Sequence, residues 1–195
     1  MLSDHPDDQL KHDRLPPGQR QVKNWPVLDL GIQPQIPLDN WELRVDGLVE
    51  NPIQWRWNDF CAQESIELCT DIHCVTSWSR FDNHWQGVSI KHLLSVVQPK
   101  PQAQHVLFHA YDGYTTNLQL TVFDDDDVLL THRWQGQPIP TIHGGPVRIV
   151  VPKVYFWKSA KWIQRITFSA HDQPGFWEVR GYHNQGNPWK EERYR

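Results

Sequence analysis

The feature that most constrains this chain is a series of short segments in which apolar and polar residues alternate, each closed by turn residues. WELRVDGL (41–48) sets Trp41, Leu43 and Val45 against Glu42, Arg44 and Asp46 before a glycine turn. A period of two puts successive side chains on opposite faces, so such a segment predicts a half-buried strand. HVLFHA (105–110), YTTNLQLT (114–121), VLLTHRW (128–134), PVRIVV (146–151) and WIQRITFS (162–169) also read as strands. Helical signals are fewer and shorter. WNDFCAQ (57–63) reads as a short helix capped by Asn58 or Asp59. Ser89 caps a second one, with Ile90, Leu93, Leu94 and Val97 on one face and Pro99 as the stop. Together these predict an α+β protein: a single β-rich, mixed-sheet domain with short helices and long loops.

A length of 195 residues suits one sizeable core. Residues 1–24 are polar and read as an arm on the surface, leaving 25–195 as the body. Residues 25–40, interrupted by Pro26, Pro34 and Pro37, predict an extended lead-in. A net charge of -4 without a long basic run argues against a nucleic-acid partner. The acidic start lacks a signal-peptide pattern, and no apolar run is long enough to span a membrane. Three cysteines without a framework argue against a disulfide-stapled secreted module. The expectation is a cytoplasmic protein with reduced thiols.

Several clusters carry candidate chemistry. In IELCTDIHCVTSWSRFDNHW (66–85) an alternating strand delivers Cys74 into a turn crowded with Thr76, Ser77, Trp78 and Arg80. A reactive or ligating thiolate needs a partly exposed, electropositive setting. Residue type alone leaves a core thiol, a nucleophile and a metal ligand all open. A zinc site over Cys61, Cys69 and Cys74 would have C-x7-C-x4-C spacing, without the usual C-x2-C knuckle. TIHGGPVRIVVPKVYFWKSAKW (141–162) gathers two glycines, Arg148, Lys158, Ser159 and Lys161, the groups that hold an anion such as phosphate. The competing reading is a strand and loop with solvated lysines. HAYDGYTTNLQL (109–120) crowds hydrogen-bonding groups around an Asp-Gly turn, and turn chemistry alone explains that pair. The run Asp124–Asp127 lacks the spacing of a calcium loop and reads as a solvated turn. PGFWEVRGYHNQGNPWKEERYR (174–195) reads as a tail packing Trp177 and Trp189 on the body.

Taken in order, DIHCVTSWS (71–79), GYTTNLQL (113–120), GGPVRIVVPKVYFWKSAKW (144–162) and FWEVRGYHNQG (176–186) resemble the sulfite-oxidase-like molybdopterin oxidoreductases, in their small stand-alone bacterial form. The resemblance implies the sulfite-oxidase molybdopterin-binding fold and two-electron oxygen-atom transfer on a small substrate. It implies a molybdenum-molybdopterin cofactor, with Cys74 as the protein's ligand to the metal beside the pterin dithiolene. It places His143 and Arg148 on one side of the cofactor. Ser159, Ala160 through its backbone, and Lys161 reach it from the next loop. Ala110 begins a further contact turn running to Asp112, and Trp25 to Asp29 contribute backbone groups. Tyr182 matches an active-site tyrosine beside the metal, and Arg80 is a candidate for tuning charge. No haem or flavin motif is present, which implies an external electron-transfer partner. The short chain leaves no room for the dimerisation domain of larger relatives, so a monomer is expected. Two departures bear on the substrate. KNWPVLDLG (23–31) lacks the arginine of the animal and plant sulfite oxidases, and Ser77 stands where small members often carry arginine. Less positive charge favours a neutral sulfoxide or N-oxide over sulfite. The alternative is a non-catalytic molybdopterin carrier.

Overall fold

The computed structural model describes residues 14–195; the expectation for residues 1–13 falls outside the described residues. Among the described residues, eleven strands make two sheets. The six-stranded sheet is built on the long hairpin of β4 (Ser65–Cys74) and β5 (Trp78–Ser89). Beside β5 lie β8 (Leu129–Trp134) and then β10 (Arg148–Val150), with β9 (Gln137–Pro138) on β8. β1 (Arg20–Gln21) joins the start of β5 in parallel, Arg20 opposite Trp78. The five-stranded sheet runs β3 (Ile53–Arg56), β2 (Glu42–Gly47), β11 (Ile163–Ser169), β6 (His105–Ala110) and β7 (Thr115–Gln119). Only the β2–β11 pair is parallel in it, so this sheet is mixed.

The helices are α1 (Trp57–Cys61), α2 (Ile90–Val97) and α3 (Leu120–Phe123). Ser89 caps α2, accepting the His92 N–H at 3.1 Å, and Gln98 ends it in a left-handed conformation. The cap of α1 differs from the expectation. Arg56 is its N-cap, and Asp59 accepts the Arg56 N–H at 2.9 Å from inside the first turn.

Alternation puts neighbouring residues of one strand into different cores. Ile149 and Leu130 belong to a large core with Leu43, Val45, Phe108, Ile166 and Phe168. Val150 and Leu129, one residue away, belong to a second core with Trp25, Ile72, Cys74, Trp78 and Trp85. The six-stranded sheet therefore divides the hydrocarbon. One face packs on the five-stranded sheet and α2; the other carries a tryptophan-rich layer, and Cys74 sits in that layer.

The longest strand, β5, does not stand out as a strand in the sequence. Its inward row reads Phe81, Asn83, Trp85, and the asparagine breaks the apolar pattern. Asn83 is fully buried because its amide donates to the carbonyls of Thr70 and Arg80.

Candidate functional site

Cys74 is the last residue of β4, and the turn to β5 closes when the Ser77 N–H donates to the Cys74 carbonyl at 3.1 Å. Ser77 takes a positive φ of 67° to complete it. Gln19, from the arm, donates to the same carbonyl at 3.0 Å. The expectation of a partly exposed thiol is corrected here: Cys74 itself is 5% exposed, because Trp25, Trp78 and Tyr155 crowd the strand's exit, although Thr76 in the turn is exposed. The sulfur is not sealed in hydrocarbon, however. It lines a cavity of about 360 Å³, within the range of small-molecule and cofactor sites.

Tyr182, Arg148, Ser159, Ala160 and Lys161 line the same cavity, so the structure gathers most of the candidate residues there. β10 supplies Arg148, and the loop before β11 supplies Ser159, Ala160 and Lys161. That loop is pinned to β10: Val151 N–H donates to Ser159 Oγ at 3.0 Å, and Ile149 N–H to the Ala160 carbonyl at 3.0 Å. Arg148 is 1% exposed. Its guanidinium donates to the carbonyls of His143 and Ser159, both at 2.7 Å, and lies 4.3 Å over the Phe156 ring. Among the described residues it has no carboxylate partner. Burial alone pulls its pKa down to about 9, so it stays charged at neutral pH. Lys161 is pulled down to about 8, by burial first and then by the nearby Arg148 charge. Two carboxylates also line the cavity: burial pushes Asp112 up, while bonds from Gln33 and the Gly31 N–H hold Asp29 down.

Three candidates stand elsewhere. His143 lies behind the wall, its ring stacked on the cavity-lining Trp25 at 3.9 Å and 6°. Its Nδ1 is buried without a partner, and burial next to Arg148 pushes the imidazole down to about 4. Ala110 ends β6 and acts through its backbone: its N–H donates to the Tyr114 carbonyl, holding the Asp112 turn at the cavity. Arg80 points away from it, bonded to Asn83 and lying 4.7 Å over Trp134.

Two sequence readings are corrected. Lys158 does not belong to an anion site. It is fully buried, paired with Glu178 at 2.8 Å and bonded to the Asn117 carbonyl and side chain, both at 2.9 Å. Nor do the glycines cradle an anion, since the N–H groups of Gly144 and Gly145 donate to Thr141 and Pro140. They are glycines because of close approach. A Cβ on Gly145 would lie 2.0 Å from the Ile139 carbonyl oxygen, and one on Gly144 would meet the Lys161 backbone at 2.9 Å.

Sequence reasoning missed Trp157 and Trp177 as cavity walls and Glu178 behind them. Trp157 Nε1 donates to Glu178 at 2.8 Å. Arg193 was missed as well. It donates to the Val75 carbonyl, stacks 5.1 Å over Tyr155 and places positive charge near Cys74. Only the basic composition of the tail hinted at it.

The arrangement fits an anionic, metal-bearing organic cofactor. One soft sulfur opens on the cavity, and a buried cation without a carboxylate waits on the same wall. Among the described residues no cluster of three His, Cys, Asp or Glu could cage a metal, and Cys61 and Cys69 are exposed and apart from Cys74. A zinc cage is thus not built, and a metal at Cys74 must bring its other ligands with it.

A mixed-sheet α+β fold with a cysteine and a buried cation on one cavity defines a candidate cofactor site. The chain belongs to the oxidoreductase molybdopterin binding domain family, whose pattern matches residues 30–177. It is 43% identical to the uncharacterized oxidoreductase YuiH of Bacillus subtilis over 93% of this chain and 92% of that protein. It is 28% identical to the protein-methionine-sulfoxide reductase catalytic subunit MsrP of Ralstonia nicotianae, over 76% of this chain but 51% of that one. The fold matches the sulfane dehydrogenase SoxCD from Paracoccus pantotrophus with a TM-score of 0.66 and 17% identity, covering 76% of this chain and 42% of that one. The protein is a molybdopterin-dependent oxidoreductase with a sulfite-oxidase-like fold.

Proposed function

We propose that the protein reduces a small neutral oxo-substrate of the sulfoxide or N-oxide type at a molybdenum held by Cys74, with electrons from an external partner. The observation that carries this reading is Cys74 lining a cavity whose wall also holds the buried Arg148, which among the described residues has no carboxylate partner. The molybdenum-pterin group would supply the two-electron exchange of an oxygen atom. For a sulfoxide, two electrons and two protons give the sulfide and water. Arg148 and Lys161 would hold the pterin's phosphate, Arg148 as a rigid fork and Lys161 as a point charge. Tyr182 would donate a hydrogen bond to the substrate oxygen, and burial raises its pKa, keeping that proton in place. Trp78, Trp157 and Trp177 would exclude water and favour an uncharged substrate. The sulfoxide in the name of the Ralstonia relative supports this choice.

The test is protein made with and without molybdate, assayed with reduced dye against sulfoxides and N-oxides, and with oxidised dye against sulfite. Molybdenum-dependent sulfoxide or N-oxide reduction is expected. Turnover of sulfite alone would reverse the substrate assignment. A molybdenum-loaded protein inert in every arm would favour a carrier.

A further inference from the structure

We propose that the Thr76 hydroxyl tunes the metal centre by donating a hydrogen bond to the Cys74 sulfur. This rests on Cys74 being the metal's protein ligand. Thr76 Oγ1 lies 3.1 Å from Cys74 Sγ. In the free thiol either atom can donate. A metal-bound thiolate has no proton, so the hydroxyl becomes the donor. Thr76 is exposed and lines the cavity, so its hydroxyl could turn to solvent; it turns back to the sulfur instead. The turn fixes this geometry. The Ser77 N–H bond to the Cys74 carbonyl holds residues 74–77 in a loop, and Arg193 clamps it from outside through the Val75 carbonyl.

A hydrogen bond to a thiolate draws electron density off the sulfur and weakens its donation to the metal. The reduced metal is thereby favoured, and the reduction potential rises. Thr76 is a positioning and tuning residue in this account, with no bond to the metal itself.

The experiment compares the molybdenum-loaded wild type with Thr76→Val, which keeps the shape and removes the O–H, and Thr76→Ser, which restores it. Redox titration followed by the Mo(V) electron-paramagnetic signal gives the potential; visible absorption gives the sulfur-to-metal band. Thr76→Val is expected to shift the potential negative and the band to longer wavelength, with Thr76→Ser returning both towards wild type. Thr76→Ala serves the same comparison should the valine variant fail to fold. Unchanged potential and band in the valine or alanine variant, at wild-type metal content, would overturn the inference. Cys74→Ser, run alongside, separates the two claims. If it keeps the cysteine-thiolate-to-metal band, the ligand assignment itself is wrong; if it loses that band while the Thr76 variants change nothing, only the tuning role falls.

Discussion

Lys158 and Arg148 are both fully buried cations from the same stretch of chain, yet their surroundings differ in kind. Lys158 is closed into Glu178, and Asn117 takes its remaining donors. The network continues through Thr116 and Trp157, which donate to the same Glu178 oxygen. Among the described residues Arg148 has carbonyls and aromatic faces but no counter-ion, and it lines the cavity. A buried charge without an opposite charge is costly to fold around. It persists where a ligand completes it. On the proposed function, the difference separates a cation that builds the wall from one that holds the cofactor's phosphate.

The largest effect that sharpens this contrast is on stability. Lys158→Met leaves the Glu178 carboxylate buried and unpaired, which should cost about 3–5 kcal/mol in denaturant unfolding of cofactor-free protein. Arg148→Met should cost less, about 1–3 kcal/mol, because only carbonyl bonds are lost. Its main effect should appear in the metal: the molybdenum-pterin content of purified protein should fall tenfold or more. Equal destabilisation by the two changes, with full cofactor retained in Arg148→Met, would erase the distinction.

A third effect is in pH. His143 stays neutral when folded, since burial and the charges of Arg148, Lys161 and Arg80 push it from 6.5 to about 4. The unfolded chain binds more protons in that window, so stability rises with pH there. Cofactor-free protein should be fully stabilised above pH 6.5 and lose about 1–2 kcal/mol of that on acidification towards pH 4. In His143→Gln that part of the pH dependence should disappear in parallel melts. The smallest effect belongs to Lys161. Lys161→Gln should shift unfolding by under about 0.5 kcal/mol while weakening cofactor retention several-fold. Because Lys161 sits at about 8, the wild type's advantage should shrink above that pH, measured as cofactor release from the two proteins.

Strands that obey strict alternation were legible in the sequence. β6 matches its expected ends, and β2, β8 and β11 come within a residue or two. β5 was not legible, because Ser79 and Asn83 take inward positions by satisfying their polar groups with distant partners. The site was legible as motifs but not as roles. Arg148 and Lys158 look alike in a string of letters, and only the partner from residue 178, far along the chain, divides them. Thr76 was visible as part of the cysteine motif, but its bond to sulfur is a property of the turn. Trp157 became a wall by packing against the tryptophan-rich second core, and Trp177 by packing against the first.

The most direct measurement is the molybdenum content and visible spectrum of Cys74→Ser beside the wild type, both made with ample molybdate. Cys74 touches the core at a strand end, so the variant should fold. The account predicts a folded protein that lacks the cysteine-thiolate-to-metal absorption, keeping at most the dithiolene bands, and turns over no substrate. Full metal content, an unchanged spectrum and wild-type turnover in that variant would contradict it.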